Sequence, residues 1–233
     1  MTGHIVAMGG GGFSKEPDNL ALDRYVLSLA RRERPAVCFL PTASGDASDY
    51  IVKYYASFTT LPCTPTHLSL FRLPDADLSA FVLAQDVLYV GGGNTRSMLA
   101  VWREWGLVEI LRRALEAGVV LAGTSAGANC WFAQAVTNAV PGQMTAAKGL
   151  GFLEGSHCPH YSNQPARRPG YHRLIQAGEI GPGYGTDDGA ALHFADGDLV
   201  GVVCSRPDAQ GHRVEVIDGD IVEHCVPRTL LEN

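Results

Sequence analysis

The sequence predicts an α/β fold in which a mostly parallel sheet is covered by helices on both faces. Three observations lead there. Short apolar runs alternate with segments whose apolar residues recur at helical spacing, up to residue 134. The runs are near-continuous, as in strands buried on both faces. Glycine-rich loops follow three of them, at residues 9–12, 91–93 and 123–127, where open α/β sheets place their ligand crevice.

The elements follow in order. His4 to Met8 is a strand, and the glycines of residues 9–12 form a loop. Asn19 to Arg32 carries Leu20, Leu22, Tyr25, Val26 and Leu29 at helical spacing. Ala36 to Leu40 is a second strand, closed by Pro41, and Ser48 to Phe58 is a helix. His67 to Leu70 is expected as a third strand and Asp86 to Val90 as a fourth. Gly91-Gly92-Gly93-Asn94-Thr95 then opens a helical stretch through Trp105. Leu107 to Ala117 is a helix that Gly118 ends. Val119 to Ala122 is a buried strand, and an apolar, helix-compatible stretch follows the turn after it. Beyond residue 150 the pattern shortens. Asp196-Gly197-Asp198 and Asp218-Gly219-Asp220 are expected as hairpin turns. No internal repeat, low-complexity linker or boundary divides the chain, so residues 1–233 are expected to form one domain.

Composition removes several functional classes. The chain has 46% apolar and 18% charged residues, a globular balance with enough length for a sizeable core. A net charge of -6 argues against a nucleic-acid surface and against an anionic membrane surface. No apolar run approaches a membrane span. Met1 to Gly12 lacks the basic region and apolar core of a signal segment, so a cytoplasmic protein is expected. The six cysteines are scattered without a CxxC pair and read as free thiols in a reducing compartment.

The most informative segment is Gly123-Thr124-Ser125-Ala126-Gly127, which fits G-x-S-x-G between a strand and a helix. Such a turn lifts one hydroxyl to the carboxyl end of a strand, with helix amides behind it that favour developing negative charge. Ser125 is therefore a candidate nucleophile. The Gly9 to Gly12 loop lacks G-x-G-x-x-G, since Ser14 holds the third position, so a dinucleotide is not expected. A serine needs a base. His4, His67 and His193 lie in expected strands, and His212 and His224 in the last hairpin, where solvent is expected around them. His157, His160 and His172 remain, and spacing does not choose between the first two. The His157-x-x-His160 pair lacks a third ligand at a metal-binding spacing, and Pro159 argues against a helix presenting both rings.

Three ordered segments carry a family resemblance: Gly91-Gly92-Gly93-Asn94-Thr95, then Gly123-Thr124-Ser125-Ala126-Gly127-Ala128-Asn129, then Cys158-Pro159-His160-Tyr161-Ser162-Asn163. The chain resembles peptidase E, the aspartyl dipeptidase family, and more distantly the cyanophycinases. The likeness extends from Met8 through Asp187-Asp188-Gly189. It implies a three-layer α/β/α sandwich, flavodoxin-like and related to class I glutamine amidotransferases. It implies Ser125 as nucleophile, His160 as general base and an oxyanion hole from the N–H groups of Ala126 and Gly93. No metal and no organic cofactor is implied.

The third catalytic position departs from the family pattern. The acid expected after the nucleophile helix falls in Val136-Thr137-Asn138-Ala139, where Asn138 matches it best. An amide can fix the imidazole tautomer but cannot stabilise imidazolium by charge. Three outcomes stay open: a Ser-His-Asn site, an acid supplied by Asp187 or Asp188, or feeble activity. Substrate contacts are expected from Asn94 and Arg168. No arginine stands at a matching position to read an N-terminal aspartate, so Asp-X selectivity is not expected. The expected function is a serine hydrolase acting on peptide bonds of small peptides through an acyl-enzyme. The expected partner is a small peptide, and a homodimer is a candidate assembly. The alternatives are a binding or regulatory homologue with little turnover, and another hydrolase of the same plan, such as an esterase or isopeptidase.

Overall fold

A computed structural model describes residues 3–72, 77–140 and 142–232. Its centre is five parallel strands: β1 (His4–Met8), β2 (Ala36–Leu40), β3 (Thr64–His67), β4 (Val87–Val90) and β5 (Val120–Thr124). They lie in the order β1-β5-β4-β2-β3. Successive side chains on a strand point to opposite faces, and here both faces are covered. Val6, Met8, Val37, Phe39, Val87 and Tyr89 pack under α1 (Ala21–Ser28) and α2 (Ser48–Phe58). Ile5, Ala7, Cys38, Leu40, Leu88 and Val90 pack against α3 (Leu78–Leu83), α4 (Thr95–Glu104) and α5 (Leu107–Glu116). Double burial is why these strands read as unbroken apolar runs. β3 is the edge strand and tolerates Pro65. It begins three residues before the segment expected from the sequence.

The expected helix after β5 is only one turn, α6 (Ala126–Asn129). The carbonyls just beyond it are taken by returning chain. Leu150 N–H donates to Cys130 O at 2.8 Å, and Phe152 N–H to Trp131 O at 2.8 Å. The chain then leaves as a strand and starts a second sheet, where a single sheet was expected. That sheet contains β6 (Phe132–Val140), β7 (Gln143–Lys148), β8 (Leu153–Pro159) and β9 (Gly183–Thr186), with α7 (Arg167–Gln176) packed on it through Tyr171, Leu174 and Ile175. The chain crosses back to the first sheet through β10 (Ala190–Ala195), antiparallel to β1, and β11 (Asp198–Cys204). It ends with β12 (Gly211–Ile217) and β13 (Asp220–Cys225) on the second sheet and β14 (Arg228–Leu230) on the first.

Both Asp-Gly turns form as expected. Asp196 and Gly197 (φ 50° and 91°) join β10 to β11, and Asp218 and Gly219 (φ 53° and 88°) join β12 to β13. Paired positive φ angles match the twist of the flanking strands. All six cysteines are free, and all but Cys225 are buried. Among the described residues no helix is long and apolar enough to cross a membrane.

Candidate active site

Ser125 sits between β5 and α6 with φ 55° and ψ -109°, a strained conformation for a residue with a side chain. Its neighbours hold it there. Ser125 N–H donates to Met8 O at 3.0 Å, and Ser125 O accepts from Asn129 N–H at 2.9 Å. The flanking glycines are steric requirements. A Cβ on Gly123 would lie 2.2 Å from Gly127 O, and one on Gly127 would lie 2.3 Å from Val90 O. The elbow thus packs directly on β4, and the serine hydroxyl is left at the carboxyl end of the parallel strands.

His160 follows β8 in a left-handed conformation (φ 55°) and is 5% exposed. Its Nε2 lies 2.8 Å from Ser125 Oγ. Its Nδ1 is hydrogen-bonded to Asp188 Oδ1. Burial alone would raise the Asp188 carboxyl. The hydrogen bond from His160 and the charges of His160, Lys15 and Arg206 outweigh it and hold the group below its ordinary value. An ionised carboxylate only accepts, so His160 carries its proton on Nδ1 and presents a free Nε2 lone pair to the serine. Lys15 Nζ stands 3.6 Å from Asp188 Oδ2. Gly10 closes the back of the pair: a Cβ there would lie 2.0 Å from Asp188 Oδ1 and 2.9 Å from His160 Cε1.

Asp188 is held by the turn joining β9 to β10. Its N–H donates to Asn163 Oδ1 at 2.6 Å, its carbonyl accepts from Arg206, and Gly189 N–H reaches Gly10 O at 2.9 Å. The preceding Asp187 faces the other way. Its Oδ1 accepts from Ser162 N–H at 2.9 Å and its Oδ2 from Gln210 N–H at 3.2 Å, tying the turn to the segment after His160.

Three residues expected in the site lie elsewhere. Asn138 does not approach His160. It sits on β6, where its Oδ1 accepts from Arg167 at 3.2 Å, a guanidinium that also bonds Val136 O. Asn94 caps α4, its Oδ1 accepting from Ser97 N–H at 3.0 Å. Arg168 is committed to Glu223, with Nε 2.9 Å from Oε1 and a second bond to Oε2. His212, expected in solvent, packs on the Tyr161 ring at 5.1 Å and stands 3.8 Å from Asp187. His157 is fully buried. It joins Asn129 of α6 (Nδ1 to Oδ1, 2.9 Å) to Thr186 of β9 (Nε2 to Oγ1, 3.1 Å) and stacks on Phe132. Burial, with the nearby charges of His160 and Arg167, lowers its pKa to about 3, so it is a neutral brace.

The serine opens into a cavity of about 380 Å³. Ser14 and Lys15 come from the first glycine loop, Ser44 and Ala47 from the loop after β2, Asp49, Tyr50 and Lys53 from α2, and Gly92 and Gly93 from the loop after β4. The α2 contribution is invisible in the sequence, where Tyr50 reads as an ordinary packing aromatic.

A hydroxyl on a strained strand-to-helix turn, facing a carboxylate-backed imidazole in an α/β sheet, defines a hydrolase of the serine type. The model of peptidase family S51 matches residues 5–202, and the chain belongs to that family of serine-type peptidases. It is 55% identical over 223 residues, 96% of each chain, to the uncharacterized peptidase YgaJ of Bacillus subtilis (strain 168). Two solved structures share the fold. One is a peptidase from an acI-B1 Actinobacterium, with TM-score 0.72, 19% identity and 97% of each chain covered. The other is a candidate peptidase E of Listeria monocytogenes EGD-e, with TM-score 0.64 and 18% identity, covering 86% of this chain and 98% of that one. The resemblance to peptidase E and the flavodoxin-like fold expected from it are thereby shown.

Proposed function

We propose that the protein hydrolyses peptide bonds of small peptides through Ser125, His160 and Asp188, with an acyl-enzyme intermediate. The observation that carries this reading is the 2.8 Å contact between Ser125 Oγ and a His160 ring whose other nitrogen is bound to a carboxylate. His160 Nε2 takes the hydroxyl proton as Ser125 attacks the carbonyl, and returns it to the leaving amine. Asp188 holds the tautomer and stabilises the imidazolium. The N–H groups of Gly91 and Asn94 are committed to Leu40 O and Ala43 O, and that of Gly92 to Tyr50 Oη. Gly93 N–H, together with Ala126 N–H, is then the donor for the oxyanion. Water next attacks the acyl-enzyme, with His160 again as base.

A binding protein without turnover drew its support from an amide in the third position. The contact between Asp188 and His160 Nδ1 supports a carboxylate there instead and weakens that alternative. The cavity contains no arginine, Lys15 lies beside Asp188, and Asp49 and Lys53 are exposed. Among the described residues the buried guanidinium, Arg167, is bonded to Gln164, Val136 O and Asn138 and does not line the cavity, so no buried cation is set aside there for an aspartyl side chain.

The test is fluorophosphonate labelling followed by a panel of dipeptides and simple esters. Wild-type protein is expected to label at Ser125 and cleave peptides, and Ser125→Ala to lose both, with turnover down by more than about a thousandfold. Asp-Leu is expected to be cleaved no more than about tenfold better than Ala-Leu. Ester hydrolysis without peptide hydrolysis would replace the peptidase reading, and unlabelled wild-type protein would remove the serine mechanism.

A further inference from the structure

Tyr50 is a half-buried residue of α2 whose ring is wedged between Phe13 and Phe39, with centroids at 5.6 and 5.0 Å. Its hydroxyl does not point to bulk solvent. Oη accepts the Gly92 N–H at 3.1 Å. Ser14, which lines the same cavity, donates from its Oγ to Gly11 O at 3.1 Å. The segment after the first glycine loop and the loop after β4 thus both border the cavity at Ser125.

The loop after β4 places three successive glycines beside Ser125. Its ends are clamped by backbone bonds, Gly91 N–H to Leu40 O at 3.1 Å and Asn94 N–H to Ala43 O at 2.7 Å. Gly93 (φ 144°) passes so close to Ala43 that a Cβ would lie 2.1 Å from its carbonyl oxygen. Between these clamps Gly92 has the full conformational freedom of glycine. It also lies nearest the reacting atom, since a Cβ built on it would be 3.5 Å from Ser125 Cβ and 4.0 Å from Tyr50 Oη. Its N–H bond to Tyr50 is what fixes the middle of the loop.

We propose that Tyr50 is a positioning residue: its hydroxyl fixes Gly92, and so aims the Gly93 N–H at the oxyanion formed when Ser125 is acylated. This rests on the serine-hydrolase reading above. A preorganised donor contributes in proportion to how well it is aimed. Loss of the hydroxyl should therefore slow the chemical step and leave ligand binding intact. Losing an oxyanion donor outright costs about a hundredfold or more, and loosening one costs less, on the order of tenfold.

The test is the rate of fluorophosphonate labelling of wild type and Tyr50→Phe, measured over a range of probe concentrations, together with Tm. The ring remains in Tyr50→Phe, so packing is kept. The expected result is a limiting inactivation rate about tenfold lower, with the half-saturating probe concentration and Tm unchanged. An unchanged rate would overturn the proposal. So would a rise in half-saturating concentration alone, which would make Tyr50 a ligand contact, or a fall in rate matched by a large fall in Tm, which would make it a packing residue. Wild-type protein that fails to label would instead refute the serine mechanism, and the proposal with it.

Discussion

Asp188→Asn is expected to lower kcat by about ten-thousandfold while leaving the fold intact. The size follows from the proton inventory. The Asp188 carboxylate only accepts, which obliges His160 to keep its proton on Nδ1 and its lone pair on Nε2, facing Ser125 Oγ at 2.8 Å. An asparagine amide can present its NH2 to Nδ1 instead. The imidazole proton then moves to Nε2, and the serine loses its acceptor. The charge that stabilises imidazolium is lost as well. The converse substitution, Asn138→Asp, is expected to change kcat less than about twofold, because position 138 addresses Arg167 and not His160. Steady-state rates and labelling of both variants decide the matter. An Asp188→Asn enzyme within tenfold of wild type, or a marked gain from Asn138→Asp, would return the third position to β6.

The second large effect concerns stability. Asp23 lies on α1 with 0% exposure, under the parallel sheet, and neither carboxyl oxygen has a well-formed hydrogen bond. Burial pushes its pKa to about 7, against the pull of the Tyr89 hydroxyl and the Phe13 N–H. The folded state therefore holds a proton that the unfolded chain releases near its ordinary value of 3.8. Between those limits the unfolded state binds fewer protons, so stability falls as pH rises, by about 1.4 kcal/mol per unit. Asp23→Asn removes this dependence. It is expected to stabilise the protein by a few kcal/mol at pH 8 and by little near pH 4. His157 and His193 act in the opposite sense. Burial lowers them to about 3 and about 4, so their contributions fade as pH drops below 6.5, in wild type and variant alike. Denaturant midpoints from pH 4 to 8 test this. Parallel wild-type and Asp23→Asn curves would show that Asp23 stays ionised in the fold.

How far the sequence revealed this molecule depended on how local each feature was. β1, β2, β4 and β5 were legible because double burial makes a strand apolar along its whole length. The Ser125 elbow was legible because its steric needs fall on adjacent residues, Gly123 and Gly127. His160 stood out only beside a family pattern, since the residues alone did not separate it from His157. Asp188 was one of three candidates for the third position. Its contact with His160 crosses from the end of β8 to the turn between β9 and β10, and no periodicity encodes such a meeting. Asn138 was misplaced for the same reason, its partner Arg167 lying on a helix whose early Pro169 and Gly170 conceal it. The second sheet went unread because Phe132 to Val140 follows the elbow as an apolar stretch equally compatible with helix. Only the Gly149 to Leu153 segment, folding back onto the carbonyls of Cys130, Trp131 and Phe132, decides otherwise.

The strand that carries the elbow's support is paired at long range. β1 hydrogen-bonds to β5 on one side and to β10 on the other, matching His4 with Ala195. During vectorial synthesis β1 leaves the ribosome long before β10. Until then one flank of this largely buried strand shows unpaired amides and carbonyls, an invitation to foreign strands. The same delay withholds Asp188, which lies in the turn into β10. On the proposed mechanism, a nascent chain that already contains Ser125 and His160 still lacks the carboxylate that orients the imidazole. Sealing the sheet edge and completing the proposed site both wait for the same late segment of the chain.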